Sequence, residues 1–251
     1  MVYIINQPPH IRTLKVSISK SILAYGEFMS RTIKLGLAQF NPVVGDITGN
    51  VKRICQIIEE AKIHSVDLLA FPELSVTGYP PEDLLYQESF IQSNLNAIDR
   101  ILEVTHNICV IVGFVAKEDS LFNASAVMKN KEILDTYYKH ILPNYGVFDE
   151  QRYFSEGQDE FVFTVNDVCV GTNICEDIWF PEGPTKNQKN KGAECIININ
   201  ASPFHTEKKA MREVELASRA KENDIPIAYV NMVGGQDELV FDGNSFIVNN
   251  R

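Results

Sequence analysis

The spacing of apolar residues along the chain predicts strands and helices that alternate in its first half. Short, mostly apolar runs predict buried strands, and these runs cover 33–40, 67–71, 108–115, 123–129, 132–138, 161–165, 168–174, 195–200, 225–233 and 244–250. Apolar residues three and four positions apart predict amphipathic helices over 50–64, 90–104 and 208–223.

The order of these elements predicts a layered α/β fold. Hairpin signals enter in the middle of the chain, at Lys129–Lys131 and at Asn166–Asp167. Strands that alternate with helices and also form hairpins favour mixed sheets over a purely parallel winding. Residues 1–30 are weakly patterned, so we interpret them either as a loosely attached or disordered arm, or as an upstream extension foreign to the native protein. The predicted domains are therefore this extension, 1–30, and one catalytic unit, 31–251.

Composition and charge narrow the class of protein. A chain of 251 residues with 45% hydrophobic residues can bury one large core. The formal net charge of -10 argues against binding to nucleic acid or to an anionic membrane, and no apolar run is long enough to cross a bilayer. The five cysteines form no CxxC pair, so we predict no metal site and no disulfide framework. Reduced thiols of this kind indicate a cytoplasmic protein.

Two charged residues follow predicted strands. Ligands of α/β sheets gather beyond the carboxyl ends of strands. Glu73 comes one residue after the strand 67–71, where a carboxylate suits a general base. Lys139 directly follows the strand 132–138, where a fixed cation could stabilise an oxyanion. The ordinary interpretations, a loop carboxylate and a solvated lysine, remain open for each residue taken alone.

Cys175 is the candidate nucleophile. It closes the strand 168–174 and opens a predicted helical turn, so we expect an exposed sulfur whose thiolate is favoured by nearby N–H groups. The backbone N–H of Glu176 could also donate to an oxyanion. The ordinary interpretation is a buried core cysteine, but the two carboxylates behind Cys175 set it apart from the other four cysteines. Together the residues predict attack by Cys175 on an amide or nitrile, with Glu73 as base and a thioester intermediate.

Three motifs carry a resemblance to a known superfamily. The segments "FPELSVTGYPPEDLL", "KHILPNYGVFDEQRYF" and "NICEDIW" resemble the motifs that supply the catalytic Glu, Lys and Cys of the nitrilase superfamily. Within it, "TGYPPEDLL", "LPNYGVFDE", "ICEDIW" and "GGQDELVFDG" are most similar to the glutaminase domains of bacterial-type glutamine-dependent NAD synthetases. The resemblance runs from about residue 33 to the end of the chain. It implies a nitrilase-type αββα sandwich, apparently without its last strands.

The resemblance also implies roles for individual residues. Glu73, Lys139 and Cys175 would form the catalytic triad, and Glu150 would be a second carboxylate that supports the lysine.

A further group of residues would contact the substrate: Tyr145, Phe148, Glu176, Ser202 and Lys208. Tyr145 and Phe148 would line a glutamine pocket, although plain packing is an equally open interpretation for both. Ser202 and Lys208 would lie near the amino-acid end of the substrate. Glu207 is a departure, because the related domains usually have a small Gly at that position.

The implied activity is hydrolysis of glutamine, with transfer of the ammonia to a synthetase domain that amidates deamido-NAD. No segment resembles the ATP-binding loop of that domain, so we expect no cofactor in this chain, and ATP and Mg²⁺ only for the absent synthetase domain. The expected partners are glutamine, that synthetase domain and further copies of the chain in a homo-oligomer.

Three other interpretations remain open. The first is a stand-alone carbon–nitrogen hydrolase, such as an amidase, nitrilase or carbamoylase, that acts on another small amide. The second is a non-catalytic interaction domain that keeps the fold. The third is a Cys/His protease that uses His140 or His205, which is disfavoured because neither histidine has a strand-end position like that of Glu73.

Overall fold

The computed structural model describes residues 31–249 in full and, for the backbone alone, four strand segments within the first thirty residues. In chain order the elements are β1 (Tyr3–Ile5), β2 (Ile11–Ile18), β3 (Leu23–Ala24), β4 (Glu27–Phe28), β5 (Arg31–Ala38), α1 (Ile47–Ile63), β6 (Leu68–Ala70), α2 (Glu88–Leu102), β7 (Cys109–Lys117), β8 (Leu121–Lys129), β9 (Glu132–Tyr138), β10 (Val162–Val165), β11 (Val168–Ile174), α3 (Pro184–Asn190), β12 (Cys195–Asn200), α4 (Lys208–Glu222), β13 (Ile227–Asn231), β14 (Val233–Gln236), β15 (Leu239–Asp242) and β16 (Phe246–Val248). Three short 3-10 helices cover Glu82–Tyr86, Glu150–Arg152 and Cys175–Trp179.

The strand β2 pairs antiparallel with β5 along its whole length. The rest of the first thirty residues, together with residues 250 and 251, lies outside the described residues. The predicted domain limits, 1–30 and 31–251, therefore stay predictions.

Two sheets form the centre of the fold. In the described part of the chain, the first has the order β1-β2-β5-β6-β7-β8-β9 and the second has the order β10-β11-β12-β13-β16. In each sheet a parallel centre (β5-β6-β7 and β11-β12-β13) is flanked by antiparallel strands. The mixed sheets predicted from the order of elements are therefore confirmed.

Three clusters of buried apolar residues pack four layers of secondary structure against one another. Ile54 and Ile58 of α1 pack with Val110 of β7 on the outer face of the first sheet. Alternate residues of the two sheets, such as Leu37 and Ile197, face each other in the middle cluster. A third cluster joins α4 to the outer face of the second sheet. This order of helix, sheet, sheet and helix arises because the central strands β6, β7, β12 and β13 bury both of their faces, one toward a helix layer and one toward the other sheet.

Two elements differ from the predicted pattern. The helix α3 was missed because its sequence, PTKNQKN, has no apolar periodicity; it buries Thr185 and Gln188 through polar contacts to Asn173 instead. The predicted strand 225–233 is shorter in the structure, where β13 covers only Ile227–Asn231. Met232 leaves the sheet, and the chain then forms the separate hairpin β14-β15.

The loop after β6 is seated directly on the neighbouring strand β7. A Cβ atom at Gly113 would lie 2.4 Å from the backbone nitrogen of Leu74 and 2.6 Å from the carbonyl oxygen of Pro72. No side chain fits in this space. The glycine therefore allows the backbone on both sides of Glu73 to pack against β7.

We predict that Gly113→Ala lowers the free energy of unfolding by about 1–3 kcal/mol, because overpacking at rigid backbone displaces the loop. Urea unfolding of the purified variant measures this change. Gly235→Ala is the matched control, since its Cβ would meet only the carbonyl oxygen of Leu239, at an ordinary 3.4 Å. Equal unfolding midpoints for Gly113→Ala and the wild type would contradict the prediction.

Candidate active site

Glu73 lies in the loop after β6 and is 1% exposed. One carboxylate oxygen, Oε1, accepts hydrogen bonds from the Lys139 ammonium at 2.7 Å and from the Asn123 side-chain amide at 2.7 Å. The other, Oε2, accepts one from the backbone N–H of Ala201, at 2.8 Å. Three donors from three separate segments therefore fix the carboxylate. One of them, the Ala201 N–H, directly follows β12 of the second sheet.

Lys139 follows β9 directly, and its side chain is fully excluded from water. Besides Glu73, its Nζ lies 2.9 Å from both carboxylate oxygens of Glu150. Burial acts to lower the pKa of this ammonium, but the charges of Glu150 and Glu73 outweigh burial and raise the pKa well above its usual range. The lysine is a permanent cation at neutral pH.

Glu150 opens a 3-10 helix and is also buried. Burial raises the pKa of its carboxyl and Lys139 acts to lower it. The Tyr79 hydroxyl donates to its Oε1 at 2.9 Å, and Asn123 donates to its Oε2 at 3.3 Å. Asn123 thus bridges the two carboxylates on either side of the lysine.

Cys175 stands at a sharp turn between β11 and a 3-10 helix. Its φ of 45° is in the left-handed region, which costs energy for a residue with a side chain and marks a strained elbow. The expectation of an exposed sulfur is wrong: the residue is only 5% exposed, because Cys175, at the end of β11, lies in the apolar cluster between the two sheets.

The expected stabilisation of the thiolate is also not found. Burial and the charge of Glu73 raise the pKa of the Cys175 thiol well above its usual range, while the charge of Lys139 acts to lower it. Glu73 and Lys139 are therefore close enough to act electrostatically on the sulfur. Cys175 is therefore a neutral thiol at neutral pH, and a nucleophilic role for it requires a base.

The predicted substrate-contacting residues fall into two groups. Tyr145 donates to the Glu176 carboxylate at 2.9 Å and packs edge-on against Phe148, with ring centroids 5.6 Å apart. Lys208 begins α4, and its Nζ lies 4.7 Å from the centre of the Trp179 ring, at the end of the cysteine turn. These residues surround the segment that carries Cys175.

Ser202 is placed differently. Its backbone N–H donates to Asn231 at 2.9 Å, while its carbonyl oxygen and hydroxyl both accept from the buried guanidinium of Arg212, at 2.7 Å and 3.1 Å. These contacts hold the segment that supplies the Ala201 N–H to Glu73. They do not join Ser202 to the group of Tyr145, Phe148 and Glu176.

The histidines of the protease interpretation make other contacts. The ring of His140 stacks on Tyr137, and its Nε2 lies 3.4 Å from the carbonyl oxygen of Asp159. His205 is exposed in the segment before α4. Within the described residues, no group of three or more His, Cys, Asp or Glu could hold a metal ion, and no helix there is long and apolar enough to span a membrane.

Four supporting residues were missed by sequence reasoning: Tyr79, Asn123, Asp177 and Asn198. Asn123 and Asn198 lie in strands, where the sequence gives no sign of what their amides contact. Tyr79 and Asp177 lie inside the quoted motifs, so their positions could have been singled out. Their side-chain partners, Glu150 for Tyr79 and Tyr137 for Asp177, are distant in the sequence and could not.

Comparison with known proteins gives the following similarities. The family model described as carbon-nitrogen hydrolase matches residues 34–251. Glutamine-dependent NAD(+) synthetases from Aquifex aeolicus and Thermotoga maritima are 48% and 43% identical over 86% and 87% of this chain, which spans 38% of each of them. The chain thus covers about two fifths of the length of these relatives.

Solved structures give the same similarity to carbon-nitrogen hydrolases and NAD(+) synthetases. The glutamine-dependent NAD+ synthetase from Acinetobacter baumannii matches 87% of this chain, and 41% of its own, with 40% identity and a TM-score of 0.84. An amidase of the nitrilase superfamily from Nesterenkonia matches 87% of this chain and 83% of its own, with a TM-score of 0.79 at 24% identity, which concerns the fold alone. The predicted nitrilase-type fold is confirmed.

We predict that Lys139→Met lowers the free energy of unfolding by about 3–5 kcal/mol near neutral pH, since two buried carboxylates lose their shared cation. Lys139 is a main influence that lowers the pKa of Glu150. Without it the folded state holds a proton more tightly than the unfolded state, so stability falls as pH rises above the unfolded carboxyl pKa.

The loss should therefore be small near pH 4 and grow toward pH 8, as measured by urea unfolding at a series of pH values. Lys117→Met is the control, because the Lys117–Glu88 pair is exposed and contributes about 0.5 kcal/mol or less. A pH-independent loss for Lys139→Met would show that the lysine does not neutralise these carboxylates.

Proposed function

Because this chain belongs to the carbon–nitrogen hydrolase family, we propose that it hydrolyses the side-chain amide of glutamine through a Cys175 thioester. The observation that carries the proposal is the buried ion cluster in which Lys139 joins Glu73 at 2.7 Å beside the elbow of Cys175. Such a cluster supplies a base, a fixed cation and a nucleophile without a cofactor.

The first step is proton transfer coupled to attack. The Cys175 sulfur bonds to the amide carbon of glutamine, and its proton goes to Glu73. This transfer leaves the total charge of the site unchanged, because a negative charge leaves Glu73 as one forms on the substrate oxygen. Glu150 can share a single N–H of Lys139 between its two oxygens, which leaves one N–H of the ammonium for that oxyanion.

The second and third steps use the same base. Glu73 returns its proton to the amide nitrogen, the carbon–nitrogen bond breaks, and ammonia leaves a thioester on Cys175. A water molecule then attacks the thioester carbon as Glu73 takes one proton from the water. The carbon–sulfur bond breaks, Glu73 returns that proton to the Cys175 sulfur, and glutamate leaves the free thiol. The hydrogen bonds from Asn123 and Ala201 hold Glu73 in one orientation through both steps.

Charged groups at the mouth of the site support glutamine as the substrate. In the proposal, the Glu176 carboxylate, oriented by Tyr145, binds the α-ammonium group, and Lys208 binds the α-carboxylate. Phe148 packs beside them against the substrate methylenes. Ser202 acts at the Glu73 side of the site instead, through the backbone segment that supplies the Ala201 N–H to Glu73.

The relatives extend the proposal to partners. The similar proteins from Aquifex aeolicus and Thermotoga maritima are glutamine-dependent NAD(+) synthetases, so the ammonia formed here would serve the amidation of deamido-NAD by a synthetase domain. ATP and Mg²⁺ belong to that domain in the proposal, and hydrolysis at Cys175 needs neither. A homo-oligomer in the cytoplasm is part of the same proposal, and a cytoplasmic location is consistent with five cysteines that form no disulfide in the described residues.

We predict that the chain releases ammonia from glutamine and that Cys175→Ala abolishes the release. An enzyme-coupled ammonia assay with glutamine, butyramide and propionitrile as substrates measures this. Cys55→Ala, on a helix surface remote from the elbow, is the control and should keep full activity. Hydrolysis of the simple amide or the nitrile, but not of glutamine, would support a stand-alone hydrolase instead; no hydrolysis at all would support a binding domain.

We predict that Lys208→Met weakens use of glutamine about 10-fold to 100-fold in kcat/KM, since it removes one charge-assisted contact to the α-carboxylate. Butyramide lacks that group, so its hydrolysis should change much less. Lys209→Met, next in the chain and paired with the exposed Glu213, is the matched control. An equal loss for glutamine and butyramide would remove Lys208 from the specificity pocket.

A further inference from the structure

We propose that Asp177 is a positioning residue that fixes the distance between the Cys175 nucleophile and the Lys139 cation. The proposal rests on the proposed function in that it takes these two as the reacting and stabilising groups. Asp177 itself is fully buried and makes no hydrogen bond to either side chain in the structure. It acts through the backbone on both sides of the site.

One oxygen of Asp177 holds the lysine segment. Its Oδ1 accepts hydrogen bonds from the backbone N–H of His140 at 3.1 Å and from that of Ile141 at 2.9 Å. These are the two residues that directly follow Lys139. The carboxylate thus fixes the point at which the chain leaves β9, and with it the base of the lysine side chain.

The other oxygen holds the cysteine elbow. Its Oδ2 accepts from the backbone N–H of Ile174 at 3.0 Å and from the Tyr137 hydroxyl at 2.8 Å. Ile174 immediately precedes Cys175, whose positive φ makes the turn strained. A strained turn keeps its shape only where its surroundings hold it. The hydrogen bond from Ile174 to Asp177 links the residues on either side of Cys175 and so holds this turn.

The chemistry of the four partners requires a carboxylate at this position. All four are donors, so an ionised carboxylate accepts from each of them, whereas an amide must turn its NH₂ group toward at least one N–H. Burial raises the pKa of the Asp177 carboxyl, while the hydrogen bonds of Ile174 and Tyr137 and the charge of Lys139 lower it. The four hydrogen bonds thus favour the ionised carboxylate at a position where burial disfavours it. This combination distinguishes Asp177 from an ordinary solvated loop carboxylate.

The experiment compares Asp177→Asn with Glu194→Gln in the whole chain. Glu194 is a second buried carboxylate, paired with Arg31 across the fold and outside the site, so its amide variant reports what loss of a buried ion pair does by itself. Both variants are assayed for glutamine kinetics and for the rate at which iodoacetamide alkylates Cys175, identified by peptide mass analysis. Circular dichroism and urea unfolding establish that each variant is folded under the assay conditions.

We expect Asp177→Asn to lower kcat about 100-fold with KM changed less than about 3-fold, because misplacement of reacting groups by about 1 Å has effects of this size. Alkylation of Cys175 should slow at least about 10-fold. Glu194→Gln should leave both within about 2-fold at a comparable loss of stability. Wild-type kcat in Asp177→Asn, or an equal loss in Glu194→Gln, would overturn the positioning role.

Tyr137→Phe decides the matter if Asp177→Asn does not fold, since it removes only one of the four donors. It should give a smaller loss of kcat with KM unchanged, and full activity would overturn the proposal. The alkylation rate is measured without substrate, so it tests the positioning role of Asp177 separately from the proposed hydrolysis of glutamine. Slow alkylation of Asp177→Asn in a chain whose wild type does not hydrolyse glutamine would leave the positioning role standing and remove the proposed function.

Discussion

The constraint on which this structure depends is a lysine ammonium that has no contact with water. A buried charge is costly unless partners of opposite charge replace the solvent, and the fold brings two carboxylates to Lys139 from segments 66 and 11 residues away. The strands β6 and β9 must end at the same edge of the first sheet for this to happen, and Gly113 must leave room for the Glu73 loop. The sheet order is thus tied to the charges, since a shifted strand would leave one of them unpaired.

The same cluster explains why the nucleophile is kept neutral. A thiolate at Cys175 would be a buried charge beside the negative charge of Glu73; burial and, after it, that repulsion raise the pKa of the thiol. When the proton moves to Glu73, one negative charge is exchanged for another, and Lys139 faces the same total charge before and after. A thiolate favoured by nearby N–H groups, as the sequence alone led us to expect, would not have this property.

The sequence predicted the parts of the structure that depend on local pattern. The period-two strands, the amphipathic helices α1, α2 and α4, and the strand-end positions of Glu73, Lys139 and Cys175 all follow from residues near one another in the chain. What it did not predict depends on long-range contact. Burial of the sulfur is set by the meeting of two sheets, α3 is held by the side chain of Asn173, and Tyr79 finds its partner Glu150 71 residues later. No spacing in the sequence encodes such pairs.

The residues proposed to react and the residues that hold them are thus separate sets. The proposed triad can be identified from motifs because the proposed chemistry requires those three side chains. Its geometry is set by groups whose types are common anywhere: an asparagine bridging two carboxylates, a backbone N–H at Ala201, and an aspartate tying two loops. The hairpin β14-β15 belongs to the second set, because Phe241 packs edge-on against Tyr79 and Asp242 pairs with Arg212 behind Ser202. A chain that keeps the triad but loses these contacts would keep the motifs of a hydrolase without the spacing that lets the three groups act together.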